Sequence, residues 1–138
     1  MSVNSHVRQI LKHVKNQSND TVFTSFAKAI STQLRAPYRA KYSPATTVEQ
    51  LQTAYTLAQK KSHDDLLLDI SPTSKGFVLN SIMKDQPFIV DTIRAKLKAM
   101  GAQNISGYNA LVDIQRNDNG DLIEAKSPSK GTKNIESI

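Results

Sequence analysis

Hydrophobic positions recur at spacings of three and four along the first sixty residues, and beyond them the period shortens towards two. Val3, Val7, Ile10, Leu11 and Val14 fall on one side of a helix, and Val22, Phe23, Phe26, Ala27, Ile30 and Leu34 on one side of a second. Asn16-Gln17-Ser18-Asn19-Asp20 breaks the pattern between them, with Asp20 placed to cap the second helix. Ala36-Pro37-Tyr38 to Ser43-Pro44 reads as a connector, because each proline disfavours helix at the residue before it. Val48, Leu51, Tyr55 and Ala58 mark a third helix ending near Lys60-Lys61, with Thr46 and Glu49, or Thr47 and Gln50, as its capping box. Stripes of this kind are packing faces.

The second half has strand character. Leu66-Leu67-Leu68-Asp69-Ile70, closed by Ser71-Pro72, and Phe77-Val78-Leu79-Asn80-Ser81-Ile82-Met83 are short, apolar and rich in strand formers. Ile89, Ile93, Leu97 and Met100 then form one helical stripe, with Asp85 as the expected N-cap, Pro87 in the first turn and Gly101 as the stop. Tyr108, Ala110, Val112 and Ile114 alternate with Asn109, Leu111, Asp113 and Gln115, a long strand with one apolar face. Asn117-Asp118-Asn119-Gly120 predicts a turn that returns the chain as a hairpin through Leu122 and Ile123. Lys126 to Asn134 is polar and expected to be mobile. The fold class is therefore α+β. A helical subdomain spans 1–63, a partial ferredoxin-like βαβ-hairpin module 64–125, and a polar tail 126–138 leads into a truncated next strand. A half-sheet of this kind would leave an unpaired edge and an exposed apolar face, as expected of a fragment of a longer chain.

The block Asp85-Gln86-Pro87-Phe88-Ile89-Val90-Asp91, behind an apolar strand, resembles the D-D-x-P-F-L-V-D-S signature near the start of the large bacterial NAD-specific glutamate dehydrogenases. That signature leads into a helix, a glycine, a strand and an R-x-x-x-G-x-L turn. Here Arg94 to Met100, Gly101, Ile105 to Ile114 and Arg116-Asn117-Asp118-Asn119-Gly120-Asp121-Leu122 follow in that order. Tyr42-Ser43-Pro44 with Val48-Glu49-Gln50-Leu51 is similar to the family's Y-S-P-x-D-L segment. Glu136-Ser137-Ile138 is similar to the start of its next strand. The resemblance covers roughly Phe26 to Ile138, and its specific part is Asp85 to Asp91. Gln86 stands where the family often has methionine, Thr92 where it often has serine, and Asn109-Ala110 where it commonly has His-Pro. The stretch through Gln103-Asn104-Ile105 is also similar to the D-x-P-G-x-L…G-x-N-I pattern of amino-acid-sensing ACT domains, with Phe88 replacing the glycine.

The resemblance implies an ACT-like module within a non-catalytic regulatory or assembly segment. The whole enzyme would convert L-glutamate, NAD and water to 2-oxoglutarate, ammonia and NADH, with catalytic residues downstream of Ile138. NAD would belong to the parent enzyme and not to this segment. The implied partners are downstream domains of the same chain, further copies in a homo-oligomer, and an amino-acid effector. The candidate effector or structural loop is Asp85, Pro87, Phe88, Ile89, Val90 and Asp91. An effector carboxylate would lie against the N–H groups of residues 88–90 at the helix start, with Asp85 or Asp91 holding its ammonium. The structural alternative makes both aspartates caps that compensate the helix dipole, and Phe88 a core residue between helix and sheet.

Composition narrows the chemistry. The 138 residues include no cysteine, which removes disulfides, thiolate metal sites and thiol nucleophiles. The five glycines are too scattered for a G-x-G-x-x-G dinucleotide loop. His6 and His13 lie about 10 Å apart along a helix, too far to share a metal. His63 stands beside Asp64 and Asp65 as a hydrated surface group. Ser71, Ser81 and Ser106 have no histidine that the sequence places near them. No apolar run reaches membrane-spanning length, and no basic-then-apolar leader opens the chain, so a cytoplasmic protein is expected. The net charge of +6 is uneven: residues 1–63 hold nine Lys/Arg against Asp20 and Glu49, and residues 64–138 nine against ten. That basic helical half raises the alternative of a free-standing nucleic-acid-binding module. The dispersed basic residues and weak aromatic interleaving favour a solvated surface instead.

Overall fold

The computed structural model describes residues 3–62, 65–73, 76–86, 89–103, 106–129 and 134–138, without the side chains of Val3 and Ile89. Helices α1 (Val3–Gln17), α2 (Thr21–Ser31), α3 (Ala36–Lys41) and α4 (Pro44–Ala58) precede strands β1 (Leu67–Thr73) and β2 (Gly76–Lys84). Helix α5 (Ile89–Ala99) then leads to β3 (Leu111–Arg116), β4 (Leu122–Lys126) and β5 (Ile135–Ser137). The architecture is α+β, as the change of period predicts.

Asp20 caps α2 as expected, accepting from the backbone N–H of Val22 at 2.9 Å and Phe23 at 3.1 Å. The expected connector at 36–44 is corrected in part, since Ala36–Lys41 forms a helix. Pro37 sits in its first turn, where a missing N–H costs nothing, and the residue before the helix, Arg35, is extended. The same logic moves the start of α4 to Pro44, ahead of the expected capping boxes. Ser43 is its cap, with Oγ accepting from Thr46 N at 3.2 Å.

The sheet order is β1-β2-β5-β3-β4. β5 is antiparallel to both β2 and β3, so those two strands run parallel to each other and α5 is the crossover between them. This is a split βαβ unit with β5 in the gap. The expectation of a half-sheet missing its partners is corrected here. Residues 135–137, read as the truncated start of a strand on a tail, lie in the middle of the sheet, and β1 fills the place beside β2 by hairpin pairing from Leu67↔Ile82 to Thr73↔Gly76. β3 starts at Leu111 and not at Tyr108, yet its pairing with the chain end extends one step further, with Ala110 and Ile138 exchanging two 2.9 Å backbone bonds.

One buried cluster joins the two halves. Ile10 and Val14 of α1, Phe23, Phe26 and Ile30 of α2, and Val48, Leu51 and Tyr55 of α4 pack with Ile82, Val112, Ile114 and Ala125 of the sheet. Three rings meet within it: Tyr55 lies 5.0 Å from Phe23 and 5.2 Å from Phe26. Polar staples fix the halves further. The Gln33 side chain behaves as an extra strand residue, donating to Leu111 O at 2.8 Å and accepting from Leu111 N at 2.9 Å. Tyr38 packs against the tilted ring of Tyr42 at 4.6 Å and edge-on against Tyr108 at 5.5 Å between centroids, and burial pushes the Tyr38 phenol up to about 12.

The opposite face of the β1–β2 hairpin is apolar and uncovered. Leu68, Ile70 and Pro72 lie across from Ser81, Leu79 and Phe77, and cross-strand partners share a face. Leu68, Ile70 and Phe77 are 56%, 60% and 79% exposed. No helix among the described residues is long and apolar enough to cross a membrane.

Candidate functional site

The β2–α5 junction singled out by the sequence is described in part, since Pro87 and Phe88 lie outside the described residues. Asp85 is exposed at the end of β2, and its N–H donates to Ile135 O at 3.0 Å, so its backbone continues the ladder towards β5. Ile89 is the first described residue of α5. The expected capping role of Asp85 falls on the turn into α5, which lies outside the described residues; β2 itself runs to Lys84, one residue past the hydrophobic pattern. Asp91 is exposed in the first turn of α5, where its charge suits the dipole, and Lys96 and Lys98 occupy the last turn.

The far end of α5 follows expectation. Gly101 takes φ +89°, its N–H meets Lys98 O at 3.0 Å, and Ala102 N reaches back to Leu97 O at 3.0 Å. Those two bonds are a Schellman stop, which needs the left-handed conformation glycine tolerates. Along the helix Val90, Ile93 and Leu97 are half-buried, whereas Met100 is 72% exposed, so the apolar stripe is only partly covered.

A second constellation was not read from the sequence. Glu136 of β5, 7% exposed, receives a bidentate fork from Arg116 of β3: Nε to Oε2 at 2.8 Å and Nη2 to Oε1 at 2.9 Å. Lys61, just past α4 and 3% exposed, places Nζ 3.9 Å from Glu136 Oε2 and donates to Ser62 O at 2.9 Å. Lys84 is the direct cross-strand partner of Glu136, and the two point to the same face. These four side chains line a cavity of about 290 Å³ together with Ser62, Asp118 and Asn134.

Gly120 organises that corner. Its carbonyl accepts from Lys61 N at 2.9 Å and from Arg116 Nη1 at 2.8 Å, and Leu122 N donates to Gln59 O at 2.8 Å. The end of α4 is thereby stitched to the β3–β4 turn. The R-x-x-x-G-x-L spacing thus has a physical basis: arginine grips the glycine carbonyl, glycine makes the turn, and the leucine N–H ties back to the helix. Lys61 and Glu136 carried no local signal, being separated by 75 positions in a chain with many charges.

Among the described residues no group of three or more His, Cys, Asp or Glu converges to hold a metal. His6 is 2% exposed with Nε2 unpaired, and burial, then the Arg39 charge, lowers its pKa from the ordinary 6.5.

The family model for the glutamate dehydrogenase ACT1 domain matches residues 26–138. No curated protein and no solved structure matches the chain significantly. The matched span runs from the middle of α2 through β5, taking in the split βαβ unit, the Gly101 stop and the Arg116–Gly120 turn, and the chain belongs to the glutamate dehydrogenase ACT1 domain family.

Proposed function

We propose that the chain is a non-catalytic regulatory and assembly segment of an NAD-dependent glutamate dehydrogenase, in which the whole polypeptide oxidises L-glutamate to 2-oxoglutarate and ammonia. The family match over residues 26–138 carries this reading. The uncovered apolar face of the β1–β2 hairpin supports the assembly role. An exposed run of Leu68, Ile70 and Phe77 on one sheet face is the kind of surface that neighbouring domains or further copies cover. NAD is the cofactor of the parent enzyme in this reading, and the segment itself binds none. Its setting is the cytoplasm.

An amino-acid effector at the β2–α5 junction meets the start of α5 with its carboxylate in this reading, with Asp85 or Asp91 as the counter-charge for its ammonium. The test is glutamate-dependent reduction of NAD by the whole polypeptide, assayed beside the 138-residue chain alone. Activity is expected only in the former. An Ile70→Asp/Phe77→Asp double substitution in the whole polypeptide should lower the assembly size seen by light scattering. Absence of glutamate-dependent NAD reduction in the whole polypeptide defeats the enzyme reading, and an unchanged assembly size defeats the docking role of this face.

A further inference from the structure

We infer that the open edge of β1 pairs, strand to strand and antiparallel, with the β1 edge of a second copy of this chain. The sheet has two edge strands, β1 and β4, and they differ. The β4 edge is guarded. Glu124 and Lys126 are exposed on it, a register shift at Gln115/Arg116 disturbs its ladder with β3, and Asp121 just ahead of it bridges to Lys60. The β1 edge has none of these devices. Leu67–Thr73 pairs with β2 in an unbroken register and with no other strand among the described residues, and it holds no lysine or arginine. Every second residue of such a strand turns its N–H and C=O away from its neighbour, so β1 offers half a ladder to a further strand. Pro72, which cannot donate, limits that ladder at one end.

The residues of β1 point to the occupant. Two identical antiparallel strands in one continuous sheet are related by a two-fold axis, and the residue that meets its own copy fixes the register. Ile70 is the middle residue of Leu67–Thr73, so placing it on the axis pairs the whole strand with its copy. Leu68 then meets the copy's Pro72 on the apolar face, and the two uncovered hairpin faces run on as one. On the other face Asp69 meets the copy's Ser71, a carboxylate against a hydroxyl. That pairing already occurs within one copy, where Ser71 Oγ donates to Asp69 Oδ2 at 2.7 Å. Moving the axis to Asp69 shortens the overlap and sets two carboxylates directly opposite each other, which is destabilising. The strand therefore fits itself in one register, and this self-complementarity favours a second copy over an unrelated strand. The inference deepens the assembly reading of the hairpin and rests on it, but not on the enzyme reading.

The chain has no cysteine of its own, so cross-linking through an introduced one reads the register directly. In the 138-residue chain Ile70→Cys should form a disulfide dimer under mild oxidation, because directly opposed strand residues hold their Cα atoms about 4.5–5.5 Å apart, within reach of that bond. Leu68→Cys is the control. In the same register Leu68 and its copy are offset by about 13 Å along the strands, and cross-linking should be slower by about tenfold or more. Light scattering over about a hundredfold range of concentration should show a monomer–dimer equilibrium. Ile70→Lys, at an exposed position, sets two ammonium groups against each other on the axis and should weaken the dimer about tenfold, with the unfolding midpoint of the dilute chain in place. Phe77→Lys, on the same face but one strand in from the edge, should leave dimerisation within about threefold. Equal cross-linking of the two cysteine variants overturns the proposal, as does a dimer that Phe77→Lys disrupts as strongly as Ile70→Lys. A chain monomeric throughout also overturns it, and glutamate-dependent NAD reduction by the whole polypeptide would then still stand on its own.

Discussion

Replacing Gly120 by alanine should be among the most damaging single-methyl additions in this chain. Two costs coincide there. The residue sits at φ +85°, where a side chain brings about 1–2 kcal/mol of strain. A Cβ would also stand 2.5 Å from Lys61 O and 2.9 Å from Lys61 C, both backbone atoms that cannot rotate away. Relief requires the turn to withdraw from the end of α4, which breaks Lys61 N–Gly120 O and loosens Leu122 N–Gln59 O. Each such bond contributes about 1 kcal/mol net. The expected loss is therefore about 3–4 kcal/mol, a large part of the ~5–15 kcal/mol of an ordinary domain. Gly101 supplies the control: its φ is +89°, and nothing lies within 4 Å of its added Cβ. Gly101→Ala should show the strain alone, about 1–2 kcal/mol. Urea unfolding of the two variants, followed by far-UV circular dichroism, reads the difference directly, with the midpoint of Gly120→Ala falling about 1 M or more below that of Gly101→Ala. Equal midpoints would refute the argument that the corner is closed by contact.

Three further outcomes follow from single contacts. Asp20→Ala removes the α2 cap and also the acceptor of the Tyr55 hydroxyl, 3.0 Å from Oδ2, so it should cost about 2 kcal/mol, the upper end for a cap, and Asp20→Asn should recover part of it by calorimetry. Arg116→Met leaves Glu136 buried with the 3.9 Å contact to Lys61 as its one remaining ion pair among the described residues, and should destabilise by about 3 kcal/mol; Arg116→Met with Glu136→Leu should be milder than the single change, and a worse double variant would contradict this. His6 titrates below its ordinary 6.5 in the fold, so from that pH downward the unfolded chain takes up a proton that the folded chain refuses. Stability should thus be level above that point and fall below it by up to about 1.4 kcal/mol per pH unit until the folded-state pKa is passed, and His6→Leu should flatten this slope in urea melts at pH 5–7.

Periodicity made the helical half legible because its stripes are long and its caps are local. Asp20, the Phe23–Phe26–Ile30 face and Gly101 each declare themselves within one or two turns. The prolines mislead for a definable reason: Pro37 and Pro44 each disfavour helix at the residue before them, yet a proline in a first turn starts a helix. At Asp85 the backbone pairs with a residue fifty positions away, Ile135, which the local hydrophobic pattern does not show. The junction at Asp85–Asp91 pointed to the right family through its wording, and its geometry added only Asp91 at the start of α5. Least legible was β5. Three residues after a polar stretch carry no strand signal of their own, and their place between β2 and β3 is set by partners far along the chain.

How so short a strand holds its register is answered by the charges that the sequence did not group. Side chains alternate across a sheet, so a slip of one residue in β5 would turn Glu136 to the opposite face. Lys61 and Arg116 would then be left buried without their carboxylate, while Ile135 or Ser137 replaced it against them. A buried ion pair adds little net stability over an apolar packing, but an orphaned one is expensive, at roughly 3–5 kcal/mol. The penalty falls on the wrong register and not on the right one. Apolar contacts from three residues could not discriminate as well, since Ile135 and Ile138 would each find some hydrophobic surface after a slip. Glu136 thus does for β5 what length does for β1 and β2, whose seven paired positions fix their alignment without charge.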